Sequence, residues 1–323
     1  MYRLSDVFEK ETRMMREVYC ETLIDMALEN EQIVVLDADL MSSISMKPFF
    51  TRFPDRAIQC GIAEANMIGI AAGLSSIGMI PFAHSFGCFA SRRTCDQIMI
   101  SAAYARQNVR IIGSDPGVTA AYNGGTHMPF EDMGVLRSIP EITLIEITDS
   151  VMLADVLQQL GNLYGVYYVR MLRKNAIKIY DDSSKFEIGT GNCLINGDDV
   201  TIIASGIMVH EALKAAEILK KEGISAKVVD MFTWKPIDVK LVEESAVSTG
   251  AIVTAENHNI IGGLGAAVAE VVCATVPVPV EMVGVMDEFG QVGTEDFLRE
   301  EYNLTAESIV SAAKRAISRK PGK

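Results

Sequence analysis

Residues 57–84 read AIQCGIAEANMIGIAAGLSSIGMIPFAH, and the fold class can be inferred outward from them. They open with the short run AIQCG (57–61) and close with the apolar run GMIPFAH (78–84), both typical of buried strands. Between these runs, Ala65 to Ile77 are almost wholly apolar and long enough for a helix. A strand, a helix and a second strand in this order predict a parallel βαβ unit.

The same alternation continues on both sides. Further strand-like runs precede the polar segment 173–192, namely QIVVLD (32–37), VRIIGS (109–114), ITLIEI (142–147) and VYYVRM (166–171). Others follow it, namely DVTIIAS (199–205), SAKVVDM (225–231) and GAIVTAEN (250–257), with helical segments at 210–223 and 236–246. We therefore predict two three-layer α/β/α domains with parallel sheets, at residues 1–175 and 193–323, joined by a linker at 176–192.

The composition is that of an acidic chain. It has 323 residues, 49% of them hydrophobic, and its 29 basic and 42 acidic residues give a net charge of −13. Nucleic-acid backbones are bound by clustered Lys and Arg, so this balance argues against a nucleic-acid ligand. The most apolar stretch, Met67–Phe82, is broken by glycines and is shorter than the ~18 apolar residues of a membrane span. With a charged N-terminal region and no apolar export segment, we expect a cytoplasmic protein without membrane contact.

Cysteine and histidine are scattered along the chain. The six cysteines form no CxxC pair, and none of the four histidines stands at zinc-ligand spacing from them. We expect the cysteines to be small apolar thiols in a reducing compartment, and we predict no metal ligand in this chain.

Glu64 stands out because it directly precedes the apolar segment 65–77. A carboxylate that enters such a core is unfavourable unless a partner shares its proton or balances its charge. The structural alternative is a carboxylate that complements a helix N-terminus. Downstream, Phe82, Phe86 and Phe89 are spaced i, i+4 and i+7, which predicts an aromatic wall on one helical face.

Ligands of open α/β sheets bind at the carboxyl ends of the strands, so the residues that follow each predicted strand are candidates for a site. Polar or glycine-rich segments follow four of them: 38–43, 62–66, 115–127 and 172–173.

Several runs then match a known family. The run GIAEANMIGIAAGLSSIGMIPFAHSFGCFASRRTCDQIMISAAY (61–104), followed by GGTHMPFEDMGVLRSIPEITLIEITDS (124–150), resembles the pyrimidine-binding domain of transketolases, which use thiamine diphosphate. Further on, VTAENHNIIGGLGAAVAE (253–270) and GVMDEFGQVG (284–293) resemble the transketolase C-terminal domain. The resemblance covers nearly the whole chain.

Full-length members of this family carry another N-terminal domain, in which a GDG motif and a downstream Asn hold Mg²⁺ and the diphosphate. The nearest string here is Gly197-Asp198-Asp199, which stands at the start of the predicted second domain. The resemblance therefore implies the C-terminal subunit of a split transketolase. An N-terminal partner subunit would bring the diphosphate site and its Mg²⁺ or Ca²⁺, and two copies of each chain would form an α2β2 heterotetramer.

The resemblance also implies roles for single residues. Glu64 matches the carboxylate that hydrogen-bonds the pyrimidine and assists proton removal from the cofactor. Asp39 would face the cofactor or support its site, and His127 would contact a carbonyl or hydroxyl oxygen of the sugar. The implied reaction transfers a two-carbon ketol unit from a ketose to an aldose. The pyrimidine pocket would be lined by Phe82, Phe86 and Phe89.

Arg13, Ser43 and Arg173 match positions that bind the terminal phosphate of the substrate in relatives. Two departures bear on the identity of the sugar. Asp115 stands where relatives have a histidine that faces the phosphate, and Asn123 where they have an Asp that reads a hydroxyl. A carboxylate repels a phosphate dianion, whereas Asn can donate as well as accept a hydrogen bond. We therefore hypothesise a specialised sugar-catabolic enzyme that acts on an unusual ketose, either branched, modified or sulfonated.

Three other functions stay open. The β subunit of a thiamine-dependent 2-oxoacid dehydrogenase has similar length and domain order, but FGCFASRRTCDQI (86–98) and GGTHMPFEDMGVLRSIP (124–140) are closer to transketolase. An ordinary pentose-phosphate transketolase subunit is the second alternative. A non-catalytic subunit is the third, and Glu64 beside three Phe argues against it.

The second domain is less informative. After GAIVTAEN, the string GGLGAA (262–267) superficially suggests a dinucleotide-binding turn but lacks the strict spacing of the third glycine. We interpret these glycines as a sign of close packing between a helix and a strand. We assign the domain to structure and assembly.

Overall fold

The computed structural model describes residues 2–320, which divide into two units. Of the described residues, the first unit comprises 2–116 and 126–186, and the second comprises 117–125 and 187–320. The division between residues 186 and 187 falls inside the segment that the sequence predicts as a linker. Each unit is an α/β domain built on a parallel or mostly parallel sheet, as predicted.

The strands of the first unit are short runs rich in Val, Ile and Leu. They are β1 (Ile33–Asp37), β2 (Ala57–Gln59), β3 (Ile80–Phe86), β4 (Val109–Ser114), β5 (Ile142–Glu146) and β6 (Val166–Met171). They pair in parallel in the order β5-β6-β4-β3-β1-β2. Every residue of β1, β3, β4 and β6 is buried, as expected for a sheet that is covered on both faces. The residues that follow these four strands therefore meet at one edge of the sheet.

Helices connect these strands. They are α1 (Met15–Glu29), α2 (Lys47–Arg52), α3 (Glu64–Ser76), α4 (Gly87–Ser91), α5 (Cys95–Gln97), α6 (Asp132–Arg137) and α7 (Ser150–Leu160). A π-helical segment over Ile98–Tyr104 continues α5. The apolar residues that follow Glu64 form α3, which packs against β3.

β3 corrects one expectation from the sequence. The predicted strand at 78–84 is observed at Ile80–Phe86, and α4 begins only at Gly87. Phe82 and Phe86 therefore lie on a strand, and the prediction that both share a helical face with Phe89 is wrong. Four residues of a strand span about 13 Å, far more than one helical turn. Pairing with β1 and β4 on either side outweighs the helix-like spacing of the three Phe.

The second unit contains β7 (Asn192–Ile195), β8 (Val200–Ala204), β9 (Ala226–Asp230), β10 (Thr233–Lys235), β11 (Ile252–Asn259) and β12 (Val280–Val285). Five of them form a sheet in the order β12-β11-β8-β9-β7, in which only β7 runs antiparallel. The sequence prediction missed β7, β10 and β12; of these, β7 and β12 lie at the edges of this sheet and are partly exposed. The helices are α8 (Met208–Lys221), α9 (Val239–Thr249), α10 (Leu264–Ala274), α11 (Glu295–Glu301) and α12 (Ala306–Ser318).

Segment 117–125 belongs to the second unit, although the sequence predicts it within the first domain. The backbone N–H of Val118 donates to Asn257 Oδ1 at 3.0 Å. At Gly117, with φ of 47°, a Cβ atom would lie 2.1 Å from the same Oδ1 atom, so only glycine fits there. Within residues 2–320, no helix combines the length and the apolarity required to cross a bilayer.

Candidate active site

Glu64 is the first residue of α3, and only 3% of its side chain is exposed. Ser85, near the end of β3, donates from Oγ to Glu64 Oε1 at 3.2 Å. Arg93 donates from Nη1 to Oε1 and Oε2, at 3.2 and 3.0 Å. A buried carboxylate is tolerated only with such partners, because an unpaired charge is strongly disfavoured away from water. Glu64 is therefore held in one orientation by two neighbours that follow it in the chain.

Three rings lie together at the ends of β3 and α4. The ring centres of Phe86 and Phe89 are 6.1 Å apart, and His127 lies 5.5 Å from the first and 5.1 Å from the second. All three pairs meet edge to face, the arrangement that the aromatic quadrupole favours. The structure does not bring Phe82 to these rings. Phe82 is fully buried on β3, and the nearby cation is the Arg110 guanidinium, 5.8 Å from its ring centre.

Two arginines flank the rings. The guanidinium carbon of Arg93 lies 3.9 Å from the centre of the Phe89 ring, and that of Arg173 lies 4.8 Å from the centre of the Phe86 ring. Both distances are within the range of a cation–π contact. The contacts therefore run without a break from Glu64 to Arg173. We call this set the strand-end cluster: Glu64, Ser85, Phe86, Phe89, Arg93, His127 and Arg173.

Arg173 sits at the end of the cluster that the sequence predicts for the terminal anion of the substrate. Its Nε atom lies 2.5 Å from Asp115 Oδ2, and its Nη1 atom donates to the Ser43 carbonyl oxygen at 3.3 Å. Arg16 donates from Nη1 to the same carbonyl oxygen at 3.0 Å. The structure does not bring Arg13 here, because Arg13 pairs with Glu21 on the exposed side of α1. Arg16, three residues later and within α1, lies next to Ser43 instead.

Asp115 directly follows β4 and is fully buried. Burial raises the pKa of its carboxyl group, and the neighbouring Arg173 partly opposes that shift. Its Oδ1 atom has no hydrogen-bond partner among residues 2–320. The backbone of Asp115 is left-handed, with φ of 57°, a conformation in which Asp and Asn are enriched. This carboxylate is therefore fixed beside Arg173 and cannot swing into solvent.

Asp39 lies just beyond β1, and its side chain is exposed. The turn that carries it is left-handed at Asp39, with φ of 64°, and its backbone N–H donates to Gln59 Oε1 at 2.8 Å. Gln59 donates in turn from Nε2 to Asp37 Oδ1 at 2.7 Å. Asp37 Oδ2 also lies 2.6 Å from His84 Nε2, in a pair that is almost completely buried. The buried Asp37–His84 pair thus anchors Gln59, whose exposed side chain holds the turn of Asp39.

Asn123 is exposed and belongs to the second unit, apart from the strand-end cluster. Sequence reasoning gave no role to Arg93, Ser85 or Arg16. A signal for Arg93 existed, because two adjacent cations, Arg92 and Arg93, follow Phe86 and Phe89 in the chain. For Ser85 and Arg16 the chain offers no such signal, since both act through contacts with residues distant in sequence.

In the second unit, the start of α10 is occupied by the chain itself. The Glu256 carboxylate accepts hydrogen bonds from the backbone N–H groups of Leu264 and Gly265, at 2.7 and 2.8 Å. A Cβ atom on Gly265 would meet Thr254 and Met282 at 2.8 Å. The interpretation of GGLGAA as close packing of helix and strand is therefore confirmed. Residues 2–320 contain no group of three or more Asp, Glu, His and Cys side chains that could hold a metal ion.

Two known protein domains match this chain. The transketolase pyrimidine-binding domain matches residues 11–177, and the transketolase C-terminal domain matches residues 189–309. The chain belongs to the transketolase family. It is 50% identical over 310 residues to the 6-deoxy-6-sulfo-D-fructose transketolase subunit of Clostridium sp. (strain MSTE9), with 96% of each chain covered. It is 43% identical over 312 residues to a putative transketolase C-terminal section of Methanocaldococcus jannaschii, again with 96% of each covered.

A solved structure described as a split gene transketolase, inactive beta4 tetramer, superposes with a TM-score of 0.88 at 42% identity. It covers 95% of this chain and 99% of that one. The chain therefore carries the pyrimidine-binding and C-terminal domains of the transketolases, a family of transferases that depend on thiamine diphosphate. The residues present fit the aminopyrimidine of that cofactor, because a buried carboxylate and the rings of Phe86 and Phe89 lie side by side.

Proposed function

We propose that this chain, together with an N-terminal partner subunit, transfers a two-carbon ketol unit from a sulfonated ketose of the 6-deoxy-6-sulfo-D-fructose type to an aldose acceptor. The observation that carries the proposal is the unbroken line of contacts from Glu64 to Arg173. It joins a carboxylate suited to an aminopyrimidine with a cation suited to the anionic end of a sugar. The nature of the sugar is supported by the relative named as a 6-deoxy-6-sulfo-D-fructose transketolase subunit, with 50% identity.

Within this function, Glu64 is the residue that would hold a nitrogen of the pyrimidine ring through its carboxylate and would assist proton transfer there. Thiamine diphosphate supplies the carbanion chemistry when bound. Phe86 and Phe89 provide an apolar wall for the pyrimidine, and Asp39 supports the same region from the end of β1. Phe82, buried on β3, remains a predicted cofactor contact.

At the sugar, His127 lies against both Phe rings and donates to an oxygen near the reacting carbon. Arg173, with Ser43 and Arg16, binds the terminal anion of the sugar. Asp115 adds a negative charge to this part of the site. Asn123 and Arg13 remain predicted substrate contacts. The remaining role in cofactor binding, coordination of Mg²⁺ and the diphosphate, falls to the partner subunit. We infer an α2β2 assembly, and a cytoplasmic location stays a prediction.

The decisive experiment combines the purified chain, its partner subunit, thiamine diphosphate and Mg²⁺ with 6-deoxy-6-sulfo-D-fructose and glyceraldehyde 3-phosphate. Removal of carbons 1 and 2 from the donor leaves a four-carbon sulfonated aldose, which mass spectrometry detects together with the extended acceptor. Each subunit alone should give no product. Turnover of xylulose 5-phosphate but not of the sulfonated ketose would indicate an ordinary pentose-phosphate enzyme. Decarboxylation of a 2-oxoacid would indicate a dehydrogenase component.

A further inference from the structure

The charge balance around Arg173 is unusual for a site that receives an anion. Of the two arginines that contact the Ser43 carbonyl, Arg173 is already paired with the buried carboxylate of Asp115, at 2.5 Å. We propose that Asp115 is a specificity-determining residue that selects a singly charged sulfonate over a doubly charged phosphate at this end of the substrate. The inference rests on the proposed function and deepens it.

The first step of the argument is electrostatic. The Asp115–Arg173 pair is close to neutral as a whole, so Arg16 is the remaining cation in contact with Ser43. Arg16 Nε is buried and has no hydrogen-bond partner among residues 2–320, which leaves a donor free for a ligand. Lys174 adds positive charge near Asp115 but is exposed, and solvent screens it. A pocket in which Asp115 neutralises Arg173 and Arg16 stays positive matches an anion with one negative charge better than an anion with two.

The second step concerns the fixed position of the carboxylate. Asp115 is fully buried, its backbone conformation restricts it, and Arg173 holds one of its oxygens. A doubly charged group bound by Arg173 would therefore lie near a negative charge that cannot move away. Charges separated by a few ångströms in a partly desolvated site interact much more strongly than in water.

The third step is the chemistry of the two anions. A sulfonate carries one negative charge across the physiological pH range. A phosphate monoester carries close to two at neutral pH, because its second pKa is about 6. The two groups are both tetrahedral and have three terminal oxygens, so shape alone separates them poorly. Charge is the property by which Asp115 can separate them.

The test compares kcat/KM for 6-deoxy-6-sulfo-D-fructose and fructose 6-phosphate, using the reconstituted complex at about pH 8, where the phosphate is a dianion. The wild type should prefer the sulfonate. Asp115→Asn removes the charge, keeps the shape and suits the left-handed backbone, and it should reduce the preference by about tenfold or more. Asp155→Asn, a control on α7 whose carboxylate pairs with Lys185, should leave the preference unchanged. An unchanged preference in an active Asp115→Asn complex would overturn the inference.

A second arm needs no variant. In the wild type, kcat/KM for fructose 6-phosphate relative to the sulfonate should rise several-fold between about pH 8 and pH 5.5, as the phosphate gains a proton. A flat ratio would contradict the inference even if Asp115→Asn were inactive. If the wild type does not use the sulfonated ketose at all, the proposed function fails. The charge inference is then decided separately, by whether ethanesulfonate inhibits the complex competitively at lower concentration than ethyl phosphate.

Discussion

The guanidinium of Arg93 lies 3.9 Å from the ring centre of Phe89, and its Nη1 atom binds both oxygens of Glu64. One side chain thus connects the carboxylate predicted to act on the cofactor with the wall predicted to hold it. Arg93 is half exposed, whereas Glu64 is buried. The carboxylate is therefore oriented from the solvent side, where the cofactor must arrive.

Glu64→Gln should abolish most of the activity without unfolding the protein. Gln keeps the size and one acceptor oxygen but cannot share a proton with the pyrimidine, and acid–base groups of this kind contribute about 10²–10⁴-fold to rate. The measurement is kcat of the reconstituted complex, with circular dichroism and partner binding as checks on folding. Glu29→Gln, exposed at the end of α1, is the matched control. Wild-type kcat in Glu64→Gln would refute the catalytic role.

Arg93→Ala should weaken both stability and cofactor affinity. It removes the cationic partner of a buried carboxylate, and we expect a loss of about 1–2 kcal/mol in the free energy of unfolding, less than for a fully buried pair because Arg93 is half exposed. Urea unfolding measures the first effect, and titration with thiamine diphosphate measures the second. Arg93→Lys keeps the charge and should recover part of both. Equal cofactor affinity in the wild type and Arg93→Ala would show that Arg93 does not orient Glu64.

His127→Asn should impair the ketose steps but leave cofactor binding intact. The ring contacts Phe86 and Phe89, and a shorter amide cannot place a donor at the same point. Loss of one such donor typically lowers rate by about 10²-fold or more. Two quantities are measured in the wild type and in the variant: kcat/KM for the ketose, and the concentration of thiamine diphosphate that gives half-maximal activity. Only kcat/KM should change. A variant that loses cofactor affinity to the same extent as activity would place His127 in the pyrimidine pocket instead.

Asp149 makes stability depend on pH in the acid range. Burial raises its pKa to about 6, although backbone N–H groups of Met152, Tyr180 and Ile179 favour the charged form. The folded state therefore holds this proton more tightly than the unfolded chain, whose Asp titrates near 4. The resulting stabilisation is complete below about pH 4 and is lost as the pH rises through about 6, an effect of about 3 kcal/mol.

Urea unfolding of the wild type and Asp149→Asn between about pH 4 and 7 tests this linkage. The free energy of unfolding of the wild type, relative to the variant, should fall as the pH rises. Asn keeps an acceptor oxygen for the Met152 N–H but does not titrate, so the variant serves as the reference without this pH dependence. A difference that is constant across this range would contradict the prediction.

The site residues that could be predicted from the sequence are those that stand out among their neighbours in the chain. Glu64 could be found because a carboxylate before an apolar helix is anomalous in the chain itself. The sequence groups Phe86 with Phe89 because their spacing suggests one helical face. The two rings do meet, but Phe86 lies on β3 and not on a helix. Phe82 shows the consequence. Because it lies on the same strand as Phe86, the two residues are about 13 Å apart along β3, and not one helical turn apart.

The anion end shows the limit of sequence reasoning most clearly. Asp115 could be recognised as a departure, but its pairing with Arg173 depends on β4 and β6 lying side by side. The contact of Arg16, and not Arg13, with Ser43 likewise depends on the fold, because Arg13 precedes α1 and pairs with Glu21. Neither relationship is encoded within a few residues of the chain.

The sequence by itself determined the two α/β domains, the transketolase family and Glu64, because hydrophobic periodicity and ordered motifs are local properties. Only the tertiary structure decided which charges meet. It paired Arg93 with Glu64 and Asp115 with Arg173, and it excluded Phe82 from the rings. Pairing energies depend on distance and burial, and both are set only once parallel strands bring distant residues to one edge of a sheet.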